Sequence, residues 1–205
     1  MTWPTRLPLI AILRGITPPE ALDHVAALID TGFDAIEIPL NSPDWPVSLR
    51  DVMTRYGEQA LIGGGTVLEP QQVEQLAALG GKLIVTPNTN PAVIRRAVEL
   101  GQIVAAGVAT PTECFAALAA GAQTLKVFPA GSFGPDYIKA IRAVLPVNTP
   151  VMAVGGVTPE NLHVYLRAGC IGAGLGSDLY KPGQTVERTA AQARAFIAAY
   201  QDVKL

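Results

Sequence analysis

The chain has 205 residues, of which 49% are hydrophobic and 16% charged, and its formal net charge is -2. This length suits one domain with a sizeable core, and the weakly acidic balance argues against a general nucleic-acid binder, which usually shows a basic stripe. No apolar run reaches the length of about 18 residues that spans a membrane, and the N-terminus lacks the features of a signal peptide. We therefore expect a cytoplasmic protein that contacts neither membrane nor nucleic acid, and whose apolar composition indicates extensive burial or an oligomer interface.

The cysteines and histidines do not form a metal-binding pattern. Cys114 and Cys170 lie far apart without a CxxC spacing, which indicates buried small side chains. His24 and His163 both fall in helical patterns, so the chain cannot assemble a site from several imidazoles. Magnesium held by carboxylates alone stays open, although no acidic cluster indicates it. We expect chemistry without a metal or another cofactor.

Strand-like and helix-like segments alternate along the whole chain, separated by glycine and proline. Apolar strand-like runs occur at residues 9–13, 35–40, 61–67, 82–86, 103–108, 124–128, 151–154 and 171–175. Helical patterns follow them at residues 18–30, 45–56, 70–79, 91–100, 111–120, 135–145, 159–168 and 186–200. The chain therefore contains eight β-α units.

The helix boundaries carry recognisable end signals. Thr17, Gly134 and Thr158 each precede a proline, which is tolerated in the first turn of a helix because its missing N–H has no partner there. Glycines that suit a left-handed cap follow five of the helices, at Gly32, Gly80, Gly101, Gly121 and Gly169.

Eight such units are the pattern of a (β/α)8 barrel. The main alternative is a doubly wound open sheet, which would usually show a GxGxxG turn after the first strand, and residues 14–18 do not match it. We expect an α/β fold, a single compact TIM barrel domain over residues 1–205. Its active site should then lie at the C-terminal ends of the strands.

Lys126 lies inside the strand-like run of residues 124–128. Alternation places it on the same face as Thr124 and Phe128, opposite Leu125 and Val127. Burial lowers the pKa of a lysine and frees its amine for attack on a carbonyl, so the run indicates a Schiff-base enzyme. A lysine at a strand end that extends to water or pairs with a carboxylate is the structural alternative.

Two further charged residues fall at predicted strand positions. Glu37 is flanked by Ile36 and Ile38, so its pKa should be raised as in a general acid or base. A buried ion pair with Lys126 or Arg14 is the alternative. Arg14 ends the first strand, where a guanidinium suits a carboxylate or phosphate, or else a surface ion pair.

Glycine-rich strand ends supply candidate binding groups. Residues 63–65 are three glycines, which let a ligand approach the backbone closely or form a plain tight turn, and Thr66 adds a hydroxyl. The ends of strands seven and eight, residues 154–159 and 174–178, resemble the two loops that bind phosphate together with a helix N-terminus in many barrels. An amine nucleophile, an arginine and a phosphate loop together predict a phosphorylated 2-keto acid as substrate.

Several motifs strengthen this interpretation. They are residues 9–15 (LIAILRG), 37–40 (EIPL), 65–68 (GTVL), 85–88 (VTPN), 125–129 (LKVFP), 155–157 (GGV) and 174–177 (GLGS). In these motifs the chain resembles the class I 2-keto-3-deoxy-6-phosphogluconate and 2-keto-3-deoxy-6-phosphogalactonate aldolases over essentially its whole length. The resemblance implies reversible aldol cleavage to pyruvate and glyceraldehyde 3-phosphate, and a homotrimer.

The resemblance also implies roles for particular residues. Lys126 would form the Schiff base and Glu37 would be the acid and base. The substrate-binding residues would be Arg14, Thr66, Pro87, Phe128, Val154, Gly155, Gly156, Gly176 and Ser177. Of these, Arg14 and Thr66 would bind the carboxylate region, and Gly156, Gly176 and Ser177 the phosphate.

Val154 bears on which substrate is cleaved. The phosphogluconate branch usually has threonine there, so Val154 and the segments 41–43 (NSP) and 176–180 (GSDLY) are similar to the galactonate branch. Gly64, where alanine is usual, and Asn88, often glycine, are small departures. We expect 2-dehydro-3-deoxy-6-phosphogalactonate as substrate. The C4 epimer, a non-covalent sugar-phosphate isomerase or epimerase, and a non-catalytic sugar-phosphate-binding barrel remain alternatives.

Overall fold

In the computed structural model, which describes residues 3–203, eight parallel strands close into a barrel in chain order. The strands are β1 (Leu9–Ile12), β2 (Ala35–Pro39), β3 (Leu61–Gly65), β4 (Leu83–Val85), β5 (Ile103–Val108), β6 (Thr124–Val127), β7 (Val151–Val154) and β8 (Gly172–Leu175). Pairing of β8 with β1 closes the sheet and excludes the doubly wound alternative. The predicted TIM barrel is confirmed.

A helix follows every strand. The helices are α1 (Pro18–Thr31), α2 (Trp45–Tyr56), α3 (Pro70–Ala78), α4 (Pro91–Glu99), α5 (Pro111–Ala119), α6 (Ala130–Arg142), α7 (Leu162–Arg167) and α8 (Val186–Gln201). No helix in the described part of the chain is long and apolar enough to cross a membrane. The expected single domain over residues 1–205 includes four residues outside that part and stays a prediction.

Side chains alternate between two apolar cores. Outward residues such as Ile36, Ile38 and Leu125 pack in a large cluster between the sheet and the helices. The inward ones form a smaller cluster in the barrel interior: Ile10, Ala35, Leu83, Val85, Ala105 and Met152. Because the period of a strand is two, Glu37 and Lys126 face the interior although their neighbours face the helices.

The register of the strands determines which inward residues lie at the same height. Glu37 on β2 and Lys126 on β6 share one layer, which Val85 and Gly174 complete from the other even-numbered strands. β2 and β6 lie on opposite sides of the barrel, so the two charged residues face each other across its interior. The next layer towards the strand ends comes from odd-numbered strands: Ile12, Gly65, Gly107 and Val154.

Most of the predicted helix and strand boundaries are confirmed. Every strand agrees within two residues, and all helices except α6 and α7 agree within one. Thr17 forms a capping box with Glu20 at the start of α1. The five predicted glycine caps all have positive φ, from 73° at Gly101 to 108° at Gly32.

One predicted helix start is wrong, and one helix has an additional segment before it. In α6 a short helical segment from Ala130 ends at the non-helical Gly134, with φ 77° and ψ 169°, and the predicted helix follows from Pro135. α7 begins at Leu162, one turn after Pro159. There Asn161 accepts from the N–H of Thr158 at 2.8 Å and donates to the carbonyl of Gly156 at 2.8 Å. This side chain satisfies a non-helical turn that the proline signal did not reveal.

Both cysteines are buried and free, as predicted. Burial raises the pKa of Cys114 to about 11 and that of Cys170 to about 12. Both thiols are therefore protonated and inert at neutral pH.

Candidate active site

A cavity of about 370 Å³ opens at the C-terminal ends of the strands. Its walls come from five parts of the barrel mouth: Ile12 and Arg14, Thr66 and Pro87, Lys126 and Phe128, residues 154–157, and Gly174 with residues 176–178. Ten of the eleven predicted site residues line it. Glu37, the eleventh, is buried in the interior layer that also holds Lys126.

Lys126 is 6% exposed and lies near the end of β6. Its Nζ lies 5.1 Å from the centroid of the Phe128 ring, which follows it on the same face. Burial lowers the pKa of Lys126 to about 8, the Glu37 carboxylate opposes that shift, and the Arg14 guanidinium adds to it. The amine is therefore partly neutral near pH 8 and available for nucleophilic attack.

Glu37 is 1% exposed, and its Oε2 has no hydrogen-bond partner. Burial raises its pKa to about 7, against the opposing effects of Lys126 and then Arg14. The carboxylate makes no nitrogen–oxygen contact within 4.0 Å to either cation, both of which lie in the described part of the chain. The alternative of a buried ion pair is wrong. The charges of Lys126 and Arg14 lower the pKa of Glu37 without direct contact with its carboxylate.

The predicted approach of a ligand beside the three glycines of β3 is wrong. A side chain at Gly63 would meet the backbone of Leu83, and one at Gly65 would overlap the Glu37 carboxylate. A side chain at Gly64, on the outer face, would lie 2.6 Å from a methyl group of Leu76. The space beside these glycines thus holds protein atoms, including the carboxylate itself.

Arg14 is oriented by two polar side chains at the mouth. Its Nη1 donates to Oδ1 of Asn41 at 2.8 Å and to Oγ1 of Thr66 at 3.4 Å. No carboxylate in residues 3–203 pairs with it, which removes the surface ion pair as an explanation. The guanidinium keeps donors for an incoming carboxylate. Asn41 was missed as a site residue because an asparagine after a strand usually indicates a turn.

The loops after β7 and β8 line the cavity with residues whose backbone N–H groups are unpaired. The N–H groups of residues 155–157 and 176–178 have no acceptor among the described residues. Gly155 and Gly156 have φ of 92° and 74°, which glycine adopts without strain. Unpaired N–H groups on successive residues of such loops can bind an anion. The expected helix N-terminus is displaced, because α7 begins only at Leu162.

Four residues that line the cavity were not predicted individually as site residues. Ile12 lies on an inward strand position that only the register reveals, whereas Val157, Gly174 and Asp178 belong to the two predicted phosphate loops, residues 154–159 and 174–178. Asp178 accepts a hydrogen bond from Oγ of Ser177 at 3.3 Å. Its position in the segment 176–180 was the signal available in the sequence.

Metal ligands are not clustered at this mouth. Among residues 3–203, no three His, Cys, Asp or Glu side chains lie close enough together to hold a metal ion. The polar groups that reach the cavity are instead an amine, a guanidinium, hydroxyls, one carboxylate and backbone N–H groups.

Comparison with known proteins agrees with this arrangement. The family model described as KDPG and KHG aldolase matches residues 4–193, which include every predicted site residue. The chain belongs to the KDPG and KHG aldolase family.

Among curated members of this family, two relatives cover nearly the whole chain. A 2-dehydro-3-deoxy-6-phosphogalactonate aldolase of Escherichia coli (strain K12) is 64% identical over 202 residues, which is 98% of both chains. A probable aldolase of the same name from Rhizobium meliloti (strain 1021) is 52% identical over 200 residues, covering 98% of this chain and 94% of its own.

Solved structures of the aldolase family agree as well. The structure described as native KDPGal is 64% identical, covers 98% of each chain and superposes with a TM-score of 0.98. The recognition of the family from its motifs is therefore confirmed, whereas the roles of individual residues stay predictions.

Proposed function

We propose that this aldolase reversibly cleaves 2-dehydro-3-deoxy-6-phosphogalactonate to pyruvate and D-glyceraldehyde 3-phosphate through a Schiff base. The main support is that Lys126 and Glu37 face each other in one interior layer, with their pKa values shifted towards neutrality. The 64% identity to the E. coli enzyme supports the substrate. No separate cofactor is needed, because the lysine itself becomes the electron sink.

Lys126 is the proposed nucleophile. Its neutral amine attacks the C2 ketone, and loss of water leaves an iminium that draws electrons from the C3–C4 bond. Only the neutral form has the lone pair that this step requires. The lowered pKa of Lys126, about 8, makes that form accessible near neutral pH.

Glu37 is the proposed acid and base. As a carboxylate it accepts the proton of the C4 hydroxyl, directly or through water, so that the C3–C4 bond breaks and glyceraldehyde 3-phosphate leaves. The protonated acid then protonates C3 of the enamine, and hydrolysis of the resulting iminium releases pyruvate. A pKa of about 7 lets Glu37 both accept the proton from the C4 hydroxyl and donate one to C3.

The remaining predicted residues bind the two ends of the substrate. Arg14, with Thr66, would hold the carboxylate at C1 through charge-assisted hydrogen bonds. The unpaired N–H groups of residues 155–157 and 176–178, with the Ser177 hydroxyl, would hold the phosphate. Pro87, Phe128 and Val154 line the cavity between these ends.

Reduction of a trapped intermediate tests the covalent step. Incubation with pyruvate and borohydride should add a reduced pyruvyl group to Lys126 and not to Lys82, whose amine pairs with Glu58 at 2.9 Å. The site is read by mass spectrometry of peptides. An unmodified Lys126 peptide would exclude the Schiff base and favour a non-covalent isomerase, epimerase or binding barrel.

The preference between C4 epimers has its own test. Val154 lies in the layer just above Lys126, where a methyl group replaces the hydroxyl of the phosphogluconate branch. We expect a higher kcat/KM for the galactonate substrate than for its gluconate epimer. Equal values for the two purified substrates would remove Val154 as a discriminating residue.

We also propose that the enzyme is cytoplasmic, as its composition indicates, and a homotrimer, as the family resemblance implies. Large apolar side chains remain accessible on one chain, among them Phe115 at 46%, Val144 at 55% and Val147 at 90% exposure. Apolar side chains of this kind favour association where they form one contiguous patch. Light scattering after size-exclusion chromatography should give three times the chain mass of 21.5 kDa, and a monomer mass would contradict the proposal.

A further inference from the structure

The segment between β8 and α8, residues 176–185, supplies three of the six backbone N–H groups proposed to bind the phosphate. Gly176, Ser177 and Asp178 line the cavity, and their N–H groups have no acceptor among the described residues. Short loops have no regular ladder that directs their peptide groups. Contacts with other parts of the chain must therefore fix these peptide groups.

Two glutamines donate hydrogen bonds to carbonyl groups of this segment. Nε2 of Gln192, on α8, donates to the carbonyl of Asp178 at 2.8 Å. Nε2 of Gln184 donates to the next carbonyl, that of Leu179, at 2.9 Å. The carbonyl of Gly176 accepts from two N–H groups within the segment, both at 2.9 Å.

Gln184 is itself fixed by the contact between α1 and α8. Its Nε2 also donates to Oγ1 of Thr189 at 2.7 Å, and its Oε1 accepts from the N–H of Lys181 at 3.1 Å. Thr189 is fully buried and bonds Nδ1 of His24 at 2.8 Å. The imidazole packs edge-on against Tyr180, with ring centroids 5.0 Å apart. The glutamine is thus part of a buried network.

We propose that Gln192, assisted by Gln184, is a positioning residue for the phosphate end of the substrate. The carbonyls of Asp178 and Leu179 share their peptide planes with the N–H groups of Leu179 and Tyr180, both of which donate to the carbonyl of Gly176. By holding the first two carbonyls, the two amides keep these donors on the Gly176 carbonyl and so fix the peptide whose N–H belongs to Ser177, a residue that lines the cavity. Loss of either amide frees this peptide to rotate, which moves the negative end of the Gly176 carbonyl dipole towards the phosphate. This inference rests on the proposed function.

The two glutamines act on one end of the substrate only. Neither forms a hydrogen bond with Lys126, Glu37 or Arg14. Pyruvate lacks a phosphate, so its capture by Lys126 is independent of this support. The phosphorylated substrate and inorganic phosphate both depend on it.

Methionine substitutions test the proposal, because methionine is unbranched like glutamine but donates no hydrogen bond. Gln192→Met should raise the KM for the phosphorylated substrate and the inhibition constant of inorganic phosphate by about fivefold, as expected for one lost hydrogen bond. The pyruvate concentration that half-saturates borohydride trapping should stay within about twofold of wild type. Gln201→Met, an exposed glutamine on the same helix, is the matched control.

The outcomes separate the two proposals. A wild-type enzyme that traps no pyruvate overturns the proposed function and this inference with it. Normal trapping with an unchanged KM in Gln192→Met, or an equal rise in KM and in pyruvate half-saturation, overturns the inference alone. Should Gln192→Met not fold, Gln184→Met carries the same expectation, and an unchanged phosphate inhibition constant there is equally decisive.

Discussion

The carboxylate of Glu37 occupies the space that a side chain on Gly65 would need. The strands that carry them pair at Pro39 and Gly65, and a Cβ built at Gly65 would overlap both carboxylate oxygens. Because Gly65 has no side chain, Glu37, the proposed acid and base, can adopt its orientation.

Gly65→Ala should displace Glu37 and lower kcat by roughly a hundredfold or more, the usual contribution of a positioned general acid or base. Its stability should fall by about 1–3 kcal/mol, as for other overpacked cores. Steady-state kinetics and urea denaturation measure the two effects.

Gly64→Ala is the matched control on the same strand. Its new methyl group would face the side chains of Leu76 and Leu40, at 2.6 and 2.7 Å, and not the interior. We expect a comparable loss of stability with kcat within about threefold of wild type. A large loss of kcat in this variant, or none in Gly65→Ala, would contradict the proposed role of the glycine.

Two substitutions should shift the pKa of Lys126 in opposite directions. The Glu37 carboxylate raises that pKa and the Arg14 guanidinium lowers it. Glu37→Gln should therefore lower the pKa of Lys126 below about 8, and Arg14→Met should raise it. The rate at which Lys126 reacts with an amine reagent, followed against pH by peptide mapping, gives both values. Shifts of the same sign would mean that the charges do not act directly.

Stability should depend on pH through Glu37. Its pKa is raised from 4.5 to about 7, so the folded state binds more protons than the unfolded state between these values. The free energy of unfolding of the wild type should therefore fall relative to Glu37→Gln as pH rises from 4.5 towards 7, by roughly 3 kcal/mol at most. Urea denaturation across this range tests it, and parallel curves for the two proteins would refute the raised pKa.

Thr66 adopts a strained backbone conformation beside Arg14. Its φ of 56° lies in the left-handed region, which a β-branched residue rarely adopts. Thr66→Gly should be more stable than Thr66→Ala by about 1 kcal/mol or more, although both lack the hydroxyl that Arg14 contacts. Both should bind pyruvate more weakly than Thr66→Ser. Equal stability of the two variants would show that the backbone stores no strain.

The three charged site residues found from sequence share one kind of signal. Lys126, Glu37 and Arg14 are charges within or at the end of apolar strands, and alternation alone places the first two opposite their hydrophobic neighbours. Asn41, Gln184 and Gln192 carry no such signal, because polar residues in turns and helices are usually solvated. Their contacts depend on distant elements coming together.

The order of eight β-α units and the set of chemical groups at the strand ends were determined by local pattern. Periodicity and end signals act within a few residues, so they are readable along the chain. The height of Lys126 relative to Glu37, the gap between them, the space left by Gly65 and the direction of the loop N–H groups were decided only by barrel closure. These depend on the register between strands far apart in sequence, and no local pattern encodes that register.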